Sequence, residues 1–213
     1  MARPASSPVA SPRRLGAPDA KNRTVLLDAA EELMRDEGYA AVTSRRVAEK
    51  AGLKPQLVHY YFRTMDDLFL ELFRRRADQM QHYHQLALQS PQPLWALWEL
   101  NTDAAGTAMT MEFVALANHR KTLRAEIARY AELFRTQQIN TITAAMERYD
   151  VPFDEFSPTV LMVLMTGATQ VLVQEQLLGM SAGHEETLTF AARWLTFLEG
   201  ERLPGDWRHP VEG

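Results

Sequence analysis

The chain contains no cysteine, which excludes disulfide staples and thiolate chemistry. Neither a GxGxxG nor a Walker pattern occurs, so the Gly-rich turns that cradle nucleotide phosphates are missing. There is no HExxH pair, and His82 and His84 stand two apart, a spacing that sends side chains in different directions from a helix. No metal and no cofactor are therefore expected. No apolar run reads as long enough to span a bilayer, and the N-terminus has no apolar stretch of the secretory kind. The expectation is a cytoplasmic protein without a membrane partner. Strand-like alternation and repeats of solenoid length are missing as well.

What remains is a helical chain of 213 residues with segregated charge. Its length suits one or two domains with a sizeable core. The net charge of -4 conceals an asymmetry: residues 1–76 carry 14 Lys+Arg against 10 Asp+Glu, and residues 77–213 carry 9 against 17. A basic N-terminal third can meet phosphate, and an acidic remainder cannot.

Helix signals follow one another along the chain. Residues 1–18 hold Pro4, Pro8, Pro12 and Pro18 with Arg3, Arg13 and Arg14, a composition that predicts a disordered basic tail. A first helix is predicted over 19–37 and stops at Gly38. Thr43 or Ser44 caps a short helix to about Ala51, Gly52 turns the chain, and Pro55 starts the next helix where no N–H donor is needed. Thr64 with Asp67 forms a capping pattern that opens a long helix to about Leu88. Later helices are predicted from Ser90-Pro91 to 101, over 103–118 and 121–149, from Ser157-Pro158 to 178, and up to 199. A loose tail follows Pro204. The reading is all-α, with about nine helices: a helix-turn-helix domain at 19–64, a second domain at 65–203, and a tail at 204–213.

Two short helices across a Gly turn have the form of a helix-turn-helix, whose second helix can enter a DNA major groove. Val47, Ala48 and Ala51 make an inner face, and Leu57, Val58 and Phe62 are expected to close over it. That leaves Lys54, Gln56, His59 and Tyr60, with neighbouring Tyr61 and Arg63, to read base edges or hold phosphate. Thr43, Ser44, Arg45 and Arg46 sit at a helix start suited to a phosphate. Double-stranded DNA is thus the expected partner.

Thr43, Val47, Ala48, Ala51-Gly52-Leu53, Tyr60, Phe62 and Leu68 together make this stretch, over about residues 22–70, resemble the N-terminal domain of the tetracycline-repressor (TetR) family. The resemblance implies a homodimer on a palindromic operator, released by a small-molecule effector. It also exposes two departures. Family members usually carry Ser or Thr where Lys54 stands, and commonly a phosphate-touching Lys where Met65 stands; Arg63 is the nearby cation.

The second domain has two apolar stripes at helical spacing. One includes Val160, Leu164, Gly167, Ala168 and Val171, and the other Leu188, Ala191 and Leu195. The resemblance implies that they form a four-helix interface between subunits. The intervening helices are rich in Met and aromatics, and Met adapts to irregular ligands. Trp95, Trp98, Met109, Met111, Phe113, Phe134, Met162 and Met165 are the expected walls of a pocket for a mostly apolar effector. His119, Asn118 or Gln138 would be its polar handles. An enzyme or ligand carrier on a helical bundle is the competing class, but no acid–base pair or metal set is legible. An architectural DNA binder is the third reading, and the acidic remainder opposes it.

Overall fold

The computed structural model describes residues 17–152, 157–204 and 207–208. Among these residues there are nine α-helices and no strand: α1 (Ala17–Glu37), α2 (Ser44–Lys50), α3 (Pro55–Tyr61), α4 (Met65–Gln89), α5 (Pro93–Asn101), α6 (Ala104–Ala117), α7 (Lys121–Arg148), α8 (Pro158–Leu177) and α9 (His184–Glu199). The basic extension with Arg3, Arg13 and Arg14 lies outside the described residues.

Local chemistry explains most helix boundaries. Thr43 caps α2, its hydroxyl accepting from the Arg46 backbone N–H. Thr64 and Asp67 form a reciprocal capping box at α4, with both backbone bonds at 3.1 Å, satisfying donors that a helix start otherwise leaves open. Gly52 turns the chain between α2 and α3 with φ 66, a left-handed conformation that glycine adopts without steric cost. Helix α5 begins at Pro93 rather than at Ser90-Pro91, because the Ser90 hydroxyl folds back to accept from the Gln92 N–H at 3.1 Å. A 3₁₀ turn over Tyr39–Ala41 links α1 to α2 and was not expected.

The first core joins α1, α2 and α3 through Leu26, Leu33, Met34, Val47, Val58 and Phe62. It does not stop at residue 64. Leu68, Phe69 and Leu72 of α4, Met109, Phe113 and Leu116 of α6, and Leu123 of α7 belong to the same cluster. Each large side chain buried this fully contributes about 1.5–3 kcal/mol, so the helix-turn-helix is fastened to the second domain by the core itself. Ion pairs of Arg75 with Asp28 and Glu31, and of Arg23 with Glu71, run along the same seam.

A second core lies at the far end, with Leu94, Ile142, Ala145, Met146, Met162 and Leu195. Here Glu199 and Trp207 are tied to α5. The Glu199 carboxylate accepts from the Leu94 and Trp95 backbone N–H groups, both at 3.0 Å. Trp207 donates its indole N–H to Glu99 at 2.9 Å. The expected loose tail therefore fails at its one clearly described aromatic: Trp207 covers the Ala87, Ala96 and Leu97 cluster.

Candidate nucleic-acid interface and ligand cavity

Helix α3 sorts its side chains by face. Val58 and Phe62 are buried, whereas Lys54, Gln56, His59 and Tyr60 are exposed, Tyr60 at 52%. Gln56, His59 and Tyr60 share the side opposite Val58 and Phe62, so this short helix offers an amide, an imidazole and a phenol to whatever approaches. Arg45 and Arg63 are exposed alongside. Leu57, expected inward, is only half-buried and is not part of the core cluster.

Two expected positions, Tyr61 and Arg46, sit differently from their reading, and the surroundings of Lys54 and Met65 can be described. Tyr61 turns toward the core, half-buried and edge-on to Tyr60 at 5.0 Å between centroids. The Arg46 guanidinium donates to Glu37 at 2.6 Å and holds that carboxyl below its ordinary range; it is engaged within the chain rather than held open for phosphate. Lys54 is the residue before the first turn of α3 and makes no side-chain cap, because an ammonium offers no acceptor to a backbone N–H. Met65 is half-buried and packs on the first core, a place a lysine ammonium could occupy only at a desolvation cost.

The helices after α3 line an open-sided cavity of about 250 Å³, bounded by Met80, His84, Leu100, Asn101, Gly106, Thr107, Thr110, Phe134, Arg135, Gln138, Met162, Thr166, Thr169 and Gln170, among others, with Thr110, Arg135 and Gln170 exposed at its mouth. Gly106 sits where α6 starts, and a Cβ there would fall 2.7 Å from the Asp103 carboxylate that caps the helix. Of the eleven expected pocket residues, Phe134, Gln138 and Met162 line this cavity. Met109 and Phe113 are instead in the first core. Trp95, Trp98 and Met165 pack at the second core. Met111 and His119 are exposed and do not line the cavity, and Asn118 is exposed at the end of α6. A smaller apolar hollow of about 120 Å³ lies among Leu94, Met165, Trp194 and Leu195.

Sequence reasoning missed the polar residues of the larger cavity. His84 was weighed only as a metal ligand beside His82. The overlooked signal was its register: Ala77, Met80, His84 and Ala87 follow helical spacing on the inward side of α4, so His84 is a polar residue in an apolar stripe. Its ring stacks on Phe134 with centroids 5.2 Å apart.

Burial depresses the His84 pKa, against a smaller opposing pull from the Met80 carbonyl. The folded chain thus prefers the neutral ring, while the unfolded chain takes a proton near pH 6.5. Stability is fully present above that pH and is lost as pH falls toward the folded value, by about 1.4 kcal/mol for each unit separating the two. Thermal unfolding of the wild type should lose stability on acidification more steeply than that of His84→Phe. Parallel pH profiles for the two proteins would sink this assignment.

On α8 and α9 the expected interface residues divide. Val160, Leu164, Val171 and Leu188 are exposed, Leu164 at 60%, and open space lies over Gly167. Ala168 and Ala191 are half-buried beside them. Leu195 instead points into the second core, because α9 must bury at least one large side chain against its own bundle. Helix α8 is also long and apolar enough, by length and composition, to cross a membrane, which corrects the expectation that no run reaches that length.

The arrangement is a helix-turn-helix fastened to an all-α body with a cleft between its helices. Residues 26–72 match the family model described as "Bacterial regulatory proteins, tetR family". Over those residues the chain resembles the N-terminal domain of that family. Its similarity to a curated relative, the HTH-type transcriptional regulator BetI of Rhizobium meliloti (strain 1021), is 38% identity over 52 residues. That match spans 24% of this chain and 26% of the relative. Beyond it the likeness is one of fold. A TetR transcription regulator from Haloarcula marismortui superposes with TM-score 0.67 at 16% identity, covering 84% of this chain and 98% of the other. A TetR-family protein from Rhodococcus sp. does so with TM-score 0.64 at 18% identity, covering 84% and 99%.

Proposed function

We propose that the protein is a ligand-responsive repressor that binds a palindromic operator as a homodimer in the cytoplasm and releases it when a small molecule fills the cavity. The observation that supports this most is the exposed polar face of α3, Gln56, His59 and Tyr60, standing on a buried Val58 and Phe62. One such helix reads only a few base pairs. Two copies related by a two-fold axis place their reading helices roughly 34 Å apart, one turn of DNA. The exposed apolar residues of α8 and α9 supply the surface for that pairing.

The route from cavity to DNA head runs through α6 and α4. Gly106, Thr107 and Thr110 line the cavity at the start of α6. Further along the same helix, Met109, Phe113 and Leu116 belong to the core shared with α1–α3. The Glu112 carboxylate accepts from the Tyr39 backbone N–H at 2.7 Å. Helix α4 contributes Met80 and His84 to the cavity and Leu68, Phe69 and Leu72 to that core. A ligand that prefers one placement of these helices shifts the population of head spacings toward it.

Selection of bound duplexes from a random DNA library tests the reading directly. The expected pool shares two inverted half-sites about one helical turn apart. A pool without a common sequence, with affinity that falls steeply with salt, would point to sequence-independent binding.

A further inference from the structure

The second core is not filled. Where α5, α7, α8 and α9 meet, it leaves the open-sided hollow of about 120 Å³. Native interiors hold few voids larger than a water molecule, and a cavity left in a core costs stability. Polar contacts at its edge hold the walls in place. Glu199, at the end of α9, accepts from the Leu94 and Trp95 backbone N–H groups in the first turn of α5, both at 3.0 Å. The Val151 N–H donates to the Met146 carbonyl at 2.9 Å, which folds the chain after α7 back along the hollow. The space is therefore preformed, as ligand sites usually are.

The lining sets the chemistry. It contains no Asp, Glu, Lys, Arg, His, Ser, Thr, Asn or Gln, and each of its residues is buried or half-buried. Its side-chain polar atoms belong to Tyr149 and Trp194, and the Tyr149 hydroxyl already donates to Glu199 at 3.4 Å. A charged or strongly hydrogen-bonding ligand would lose its hydration here without replacement. The volume is near the roughly 150 Å³ of an engineered apolar cavity that stays dry and binds benzene or xenon. It lies well below the roughly 300–1,000 Å³ of sites for drug-sized ligands.

We propose that this hollow is a second ligand site, separate from the larger cavity, and that it takes a small uncharged hydrocarbon about the size of one ring. The two linings have no residue in common, so the site stands independently of the effector reading. Trp194, Leu195 and Leu198 come from α9. An occupant would therefore bear on the inner side of the helix that presents Phe190 and Phe197 outward.

Benzene and pyridine, alike in size and differing in one ring nitrogen, test it by NMR on the full-length protein with labelled Ile and Met methyl groups. The chain has three isoleucines; Ile142 lines the hollow and Ile127 packs on the first core. Met146 reports on the hollow and Met80 on the larger cavity. Benzene is expected to shift Ile142 and Met146 saturably while Ile127 and Met80 stay still. Pyridine, uncharged at neutral pH, should bind about tenfold or more weakly. Val151→Phe and Leu161→Phe, both at half-buried lining positions, should each fill the hollow and weaken benzene binding by about tenfold or more. No saturable shift at Ile142 and Met146, pyridine binding as tightly as benzene, or benzene binding that survives in both filling variants overturns the proposal. Saturation at Met80 instead also overturns it, and leaves the effector reading of the larger cavity standing. The wild-type map decides whether or not a variant folds.

Discussion

Leu164→Glu should make the protein monomeric and lower its operator affinity by about 100-fold or more, the loss expected when two linked half-site contacts become one. Leu164 is 60% exposed in the single chain. It lies on a helix whose neighbours Val160, Val163 and Val171 are also exposed. In a two-fold interface each substitution appears twice, and each buried, unpaired carboxylate costs several kcal/mol. The single chain tolerates the change, since exposed substitutions usually stay within about 0.5 kcal/mol. Sedimentation equilibrium and an operator titration, with circular dichroism as the check on folding, decide the matter. A dimer that persists in Leu164→Glu would remove α8 from the interface.

Gln56→Ala combined with Tyr60→Ala should abolish operator preference while leaving the fold and the dimer intact. Each base-reading contact is worth about 1–3 kcal/mol, so the pair amounts to a loss on the order of 10²–10⁴-fold in specific affinity. Both side chains are exposed, and the core beneath them rests on Val58 and Phe62, so thermal stability should hardly change. Lys54 makes a useful contrast. As a phosphate contact its removal would weaken all sequences alike and reduce the salt slope by about 1; as a base contact it would change the preferred site. Unchanged affinity of the double variant in an anisotropy titration would show that α3 is not the reading helix.

The helix-turn-helix was legible because its signals are local. Gly52, Pro55, Thr43 and the Thr64–Asp67 box act within a few residues of themselves, and the structure uses each where it was expected. The cavity was poorly legible because its walls come from five helices, and Met or aromatic content does not say which cavity or core a side chain joins. Met109 and Met162 illustrate this: similar residues in apolar helices, one in the first core and one at the cavity. His84, Asn101 and Gln138 become a unit only when α4, α5 and α7 meet. The inward turn of Leu195 likewise follows from where α9 lands, which helical periodicity alone does not specify.

Helix α9 has a further consequence. Leu195 is its one buried residue among those described, and its firmest attachment is at its end, where Glu199 grips the first turn of α5. At the other end His184 meets Glu175 of α8 at 2.8 Å, and between them Phe190 and Phe197 are exposed, Phe197 at 82%. Between these ends Leu195 and Leu198 pack on the second core while the outer side of α9 stays open to a partner. If a second subunit covers that side, pairing adds to what holds α9 in place, and the protein's resistance to unfolding acquires a dependence on its own concentration.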